Sequence, residues 1–193
     1  MLRFLLVMSF LLAGAWQLGG AAWLLAKAHL AHYLIDDAWE QQLRSGEPVR
    51  PWPWADTWPV ARLSLGGGRP LLVMSGSSGQ ALAFGPGLVE NSGAPGARDR
   101  NTVIAAHRDT HFNGLRDLRA GQVVRLQDIR GRWYRYRVSS SRVVDSRREQ
   151  MPIQAGPGLV LVTCYPFDAL SAGGPLRFVV HAEYLGAGRS QEA

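Results

Sequence analysis

The 193-residue chain has a single cysteine, Cys164. That excludes an internal disulfide framework and any zinc knuckle built on several thiolates. Charge is scarce as well: Asp, Glu, Lys and Arg make up 19% of the residues and hydrophobic ones 47%, a balance too apolar for a disordered segment. The same balance is too polar overall for a multi-span membrane protein. No internal repeat is visible. Punctuation is plentiful, with 22 glycines and 11 prolines, more than a helical bundle would carry.

The uncharged stretch runs over residues 4–26, where only Ser9 and Gln17 are strongly polar. A helix of that length covers the roughly 30 Å hydrocarbon layer. The apolar part of a cleavable signal peptide is shorter, about 7–15 residues, although Gly19-Gly20-Ala21-Ala22 offers small residues for cleavage. Leu30, Leu34, Ala38 and Gln42 step by four, so the helix is expected to leave the membrane and continue to about Arg44. Arg3 on one side against Lys27, Asp36 and Asp37 on the other favours a cytoplasmic N-terminus, with the rest of the chain outside. Residues 1–45 are therefore assigned as anchor and stalk. Residues 46–59 follow as a linker, because Pro48, Pro51, Pro53 and Pro59 forbid a helix there, with Trp52, Trp54 and Trp58 between them.

From residue 60 onward, short β-type runs alternate with Gly, Pro, Asn and Asp. They cover 60–65, 71–74, 81–84, 102–106, 123–127, 133–140, 159–163 and 176–184. Residues 159–163 are apolar on both faces and read as a central strand. Many short strands without long helices between them predict a closed or nearly closed all-β barrel over 60–186, and 187–193 are assigned as a flexible tail. The net charge of +6 comes from scattered arginines. Arg135 and Arg137 alternate with Trp133, Tyr134 and Tyr136, but no nucleic-acid-binding motif accompanies them, and no nucleic-acid partner is expected.

Three residues stand where chemistry could occur. Cys164 ends the apolar run and precedes Tyr165-Pro166, which places a thiol at a strand end beside a loop. A lone cysteine is either a small buried hydrophobe or a thiol in use, and position does not separate the two. His107 closes the strand 102–106 and could shuttle protons for such a thiol, or merely satisfy a local hydrogen bond. His111 lies four residues further on, a helical metal-ligand spacing. Here, however, Arg108 occupies the place after the first histidine that a zincin reserves for glutamate, and the preceding residues read as strand. No metal is assigned. Arg177 lies within the apolar run of the last strand, where a guanidinium needs a polar partner: a substrate oxyanion near Cys164, or the solvent at an edge.

Taken together, the order of anchor, Ala-His-Arg-Asp-Thr-His-Phe, Leu-Val-Thr-Cys-Tyr-Pro-Phe and Leu-Arg-Phe-Val-Val resembles the sortases. It is most similar to their Gram-negative, proteobacterial branch, itself similar to class D. The resemblance spans about residues 54–184 and includes Trp54-Ala55-Asp56 and the segment from Ala81 to Gly87. It departs at Ala106, where the family usually has glycine.

The resemblance implies a sortase-type eight-stranded β-barrel with short helices, preceded by a transmembrane helix, and a cysteine transpeptidase activity. By position Cys164 matches the nucleophile, His107 the general acid/base, Arg177 the arginine that stabilises oxyanion or substrate, and Thr163 the threonine lining the pocket. It further implies no cofactor, a partner protein bearing an LPxTG-like C-terminal sorting signal, an amine acceptor, and a single-pass location in the inner membrane with the barrel in the periplasm. A cysteine peptidase on the same fold and a non-catalytic tethered binding module are the alternatives.

Overall fold

The structure, a computed structural model, describes residues 1–150, 153–169 and 173–188. Helix α1 (Leu2–Ser45) takes up the apolar segment and the stalk without interruption. It stops at Gly46, whose φ of 73° suits a residue without a Cβ and lets its N–H donate to the Gln42 carbonyl at 2.7 Å. Its apolar window has a mean hydropathy of 1.6 and packs against nothing in the protein, so it is long and apolar enough to cross a membrane. Further along, Ile35, Ala38, Trp39 and Gln42 form one buried face. Gln42 donates from Nε2 to the Pro59 carbonyl at 2.9 Å, and Arg62 stacks over Trp39 while pairing with Glu40 at 3.3 Å.

Eight strands close into a barrel: β1 (Pro59–Ser64), β2 (Leu71–Ser75), β3 (Gly87–Leu88), β4 (Thr102–Ala105), β5 (Val123–Gln127), β6 (Trp133–Asp145), β7 (Gly158–Cys164) and β8 (Leu176–Gly188). Their order around the barrel is β1-β2-β3-β4-β7-β8-β6-β5. The pairs β2–β3 and β4–β7 are parallel and the rest antiparallel. Leu63, Val73, Ile104, Leu126, Tyr136, Leu161 and Val180 fill the interior, and Phe112 and Leu115 enter it from the loop after β4. Among the described residues each strand has a neighbour on both sides.

β7 lies between β4 and β8, and its two apolar faces serve two cores. Leu159 and Leu161 point into the barrel, while Val160 and Val162 join Val103 and Val179 in a second cluster on the outside. On β6 the aromatic face of the alternation is interior. Tyr136 accepts a hydrogen bond from the Gly96 N–H at 3.0 Å, and burial pushes its phenol up to about 12. Tyr134 donates to Asp128 at 2.9 Å. These rings are core and form no stacking platform.

Residues 81–84, expected as a strand, are instead part of a short helix, α2 (Gly79–Phe84). Ser78 caps it by accepting from the Ala81 N–H at 3.3 Å, and Gln-Ala-Leu-Ala is a run of strong helix formers. It ends at Gly85, where a Cβ would lie 2.6 Å from the Leu72 carbonyl oxygen. The strand position falls instead to Gly87–Leu88. Trp52, from the proline-rich segment, packs edge-on against Phe84 with centroids 5.6 Å apart. β1 starts at Pro59 and β8 extends to Gly188; residues 189–193 of the expected tail lie outside the described residues.

Candidate active site

β7 and β8 pair with Cys164 opposite Arg177. The Tyr165 N–H donates to the Leu176 carbonyl at 3.0 Å, which makes 165 and 176 the hydrogen-bonded pair and Cys164 and Arg177 a non-hydrogen-bonded one. In that geometry the Cα atoms approach to about 4.5 Å and the side chains lie on the same face of the sheet. By alternation from Val162 and Val179, that face is the outer one. Cys164 is a free, partly buried thiol. Arg177 Nη1 donates to the carbonyls of Gly174 at 2.5 Å and Leu176 at 2.9 Å. The arginine is thus partnered by its own loop.

β4 runs parallel to β7 with Ala105 level with Val162. One residue further, the Ala106 N–H still donates to the Val162 carbonyl at 3.1 Å, so the chain follows β7 beyond the end of the strand. The same register brings His107 level with Cys164. Ile104 and Ala106 face the barrel core, so His107 faces outward, and it is exposed. Thr163 points the other way. It is 2% exposed, and its hydroxyl donates to the Ala106 carbonyl at 2.8 Å. It therefore meets the site through the backbone preceding His107. Among the described residues no hydrogen bond joins Cys164, His107 and Arg177 directly; three neighbouring strands bring them to one face by register.

His111 does not continue a helix from His107. The chain turns there, with the Phe112 N–H donating to the His107 carbonyl at 3.1 Å, and a 3₁₀ turn follows at Asn113–Asp117. His111 Nδ1 lies 3.2 Å from the Thr110 hydroxyl. Burial, and after it the neighbouring His107 and His32, hold its imidazole below the usual histidine range. Among the described residues no three His, Cys, Asp or Glu side chains gather into a metal-sized cluster.

Sequence reasoning passed over Arg108 except as an obstacle to zinc. It is 5% exposed and donates to the carbonyls of Pro166 at 2.6 Å and Ala169 at 2.7 Å, with Asp109 at 2.9 Å from its Nε. The guanidinium thereby ties the exit of β4 to the loop that follows Cys164. The only signal in the chain is a charged residue next to a buried strand end. Its carbonyl partners are 58 and 61 residues away, where no local pattern reaches.

A cavity of about 190 Å³ opens beside Arg177 on this outer face, floored by Val144, Val162 and Val179 and edged by Ser146 and Glu149. It is a valine-floored slot that ends at the Arg177 cation. A sortase-domain family model matches residues 66–185. The chain belongs to the sortase family. No curated protein matches its sequence. Among solved structures this sortase is similar to sortase C-1 of Actinomyces oris (24% identity over 66% of this chain and 74% of that one, TM-score 0.58). It is likewise similar to sortase A of Corynebacterium diphtheriae (21%, covering 72% and 66%, TM-score 0.59). With the sortase D5 transpeptidase of Clostridium perfringens it shares 18% identity, covering 79% and 94%, at a TM-score of 0.60. At such identities the structural likeness establishes the fold, an eight-stranded sortase barrel. Family membership implies a cysteine transpeptidase that acts on proteins bearing sorting signals.

Proposed function

We propose that this sortase is a membrane-anchored transpeptidase in which Cys164 is the nucleophile, His107 the general acid/base and Arg177 the cation that meets the oxyanion. One observation carries the reading: strands β8, β7 and β4 bring these three residues to the same outward face at the same level. The substrate in this reading is a protein with an LPxTG-like C-terminal signal, whose apolar residues suit the valine-floored slot. The location that goes with it is the inner membrane, with α1 as a single span and the barrel in the periplasm, in the Gram-negative branch similar to class D. The length and hydropathy of α1 support the anchor.

The Cys164 thiolate attacks the carbonyl carbon of the signal's threonine, and negative charge moves to the carbonyl oxygen. Arg177 carries N–H donors at Nε and Nη2 besides the Nη1 engaged with its loop, and these meet that oxygen. The Tyr165 N–H is committed to Leu176, so the guanidinium carries this contact without it. As the intermediate collapses, the C–N bond to glycine breaks and His107 gives its proton to the departing amine. A thioester on Cys164 remains. An acceptor amine then attacks, His107 takes its proton, the C–S bond breaks and the thiolate returns. Thr163 positions His107 through the Ala106 carbonyl.

The test is intact mass after incubation with an LPxTG-type peptide. A hydroxylamine-labile adduct on Cys164, and an amide product when a primary amine is supplied, are expected. Peptide cleavage retained by Cys164→Ala would overturn the assignment. Release of acid alone, whatever amine is present, would make the chain a peptidase.

A further inference from the structure

We infer that α1 is a ruler: it holds the catalytic end of the barrel towards the bilayer, at a fixed distance that limits which bonds in a membrane-anchored substrate can be reached. The inference rests on the anchoring and reaction proposed above, and adds to them an orientation and a length.

The strand directions supply the orientation. β4 and β7 run parallel and end at Ala105 and Cys164, and β8 starts from the same end with Leu176 and Arg177. α1 passes β1 in the opposite sense. Gln42 meets Pro59 at the start of β1, Glu40 meets Arg62 within it, and Asp36 meets Arg69 in the loop beyond its end at 3.4 Å. Moving along α1 towards its apolar segment is therefore moving towards the β1–β2 loop. His111 shows that this is also the catalytic end. A cavity of about 260 Å³ is shared by His32 and Asp36 of α1 with Arg69, Leu72 and His111 of the barrel, and His111 follows His107 by one turn of chain.

The helix supplies the length. His32 and Asp36 lie beyond residue 26, the last of the uncharged stretch, by about 9 and 15 Å of helix at 1.5 Å per residue. The helix is unbroken across this interval, and a buried face and a pair of ion pairs fix it to the barrel. The end of the barrel that carries Arg69 and His111 is thus held on the order of 10–15 Å above the hydrocarbon edge. An extended chain covers that distance in about three to five residues.

Cys164, the chain's one cysteine, allows the distance to be read without any substrate. The full-length protein is labelled there with a maleimide donor and reconstituted into phosphatidylcholine vesicles carrying a headgroup acceptor dye. Helical insertions of seven and fourteen residues after Ala28 add about 10 and 21 Å. Energy transfer is expected to be high in the parent and to fall stepwise with each insertion. Equal transfer in all three proteins overturns the ruler.

A second arm uses an LPxTG-type segment joined by spacers of 2 to 20 residues to a transmembrane helix in the same vesicles. The best spacer is expected to lengthen by about three residues per 10 Å of inserted helix. A free peptide of the same sequence should be cleaved equally by all three, which also reports that the insertions fold. A spacer optimum that stays fixed while the dye recedes overturns the substrate limit. Failure of the parent to cleave the free peptide overturns the proposed reaction and leaves the distance measurement standing.

Discussion

Thr163 donates its hydroxyl to the carbonyl of Ala106 at 2.8 Å, so one buried hydrogen bond joins the residue before the thiol to the residue before the imidazole. Two strand ends that could drift independently are thereby held in register where the parallel ladder of β4 and β7 stops. The bond sits on the inner face of the barrel, while the groups it aligns sit on the outer one.

Thr163→Val keeps the shape and removes the donor, leaving a buried carbonyl short of its partner. A loss of about 1–3 kcal/mol is expected, at about 2–4 °C of melting temperature per kcal/mol. Thr163→Ser should restore most of it. Turnover should fall in the valine variant more than KM rises, because the register between His107 and Cys164 is what loosens. Unchanged stability would show that the bond contributes nothing.

Arg177→Ala should lower kcat by about a hundred- to a thousandfold, the usual cost of an oxyanion donor, with a smaller change in KM. Arg177→Lys should recover little of that, since a point charge on a flexible stem does not reproduce a planar fork. Steady-state kinetics on a fluorogenic peptide decide. A lysine variant close to the parent would mark Arg177 as a loop anchor held by Gly174 and Leu176.

Cys164→Ala removes one partly buried sulfur, and the barrel should melt within a few degrees of the parent. Covalent adducts with the peptide should vanish from the mass spectrum. A collapse of the fold would move Cys164 from chemistry to packing.

His111 and His181 both sit below the usual histidine range, chiefly through burial, with His107 and His32 acting on the first and Arg142 on the second. The unfolded chain therefore binds more protons than the folded one as pH falls through about 6.5. Their contribution to stability is complete above that pH and is lost as the pH drops through the lower folded values. Melting temperature should fall between pH 7 and 5, and His111→Gln together with His181→Gln should flatten the profile. An unaltered slope in the double variant would count against this origin.

Arg108→Met removes both links to the Pro166 and Ala169 carbonyls. Faster amide exchange over residues 165–169 is expected, together with slower turnover. Arg108→Lys should rescue only part of the exchange protection, having no fork to span two carbonyls. Exchange equal to the parent would remove Arg108 from the list of positioning residues.

The single cysteine, the uncharged run and the short strands were legible because each is a local pattern. Twenty-odd apolar residues read as a span by length alone, and the alternation on β6 separates Tyr134 and Tyr136 from Arg135 and Arg137. Residues 81–84 misled for the same reason. A short apolar run cannot be told from a helix by its period, and the Ser78 cap outweighed it. The fit of Thr163 to a pocket-lining role came from position in a motif. In the fold its side chain faces inward, a direction set by the alternation of β7 against two cores.

By itself the sequence determined the elements and the chemical inventory: one long helix, a barrel's worth of strands, one thiol, and a histidine and an arginine at strand ends. Those follow from periodicity and composition, which act over a few residues. Only the tertiary structure decided which strand neighbours which, that β7 lies between β4 and β8 with Cys164 level with both His107 and Arg177, that Arg108 locks a loop some sixty residues away, and that α1 reaches the barrel at the end where Arg69 and His111 lie. Such pairings are chosen by closure of the barrel and burial of two faces at once, and those energies exist only when distant segments meet.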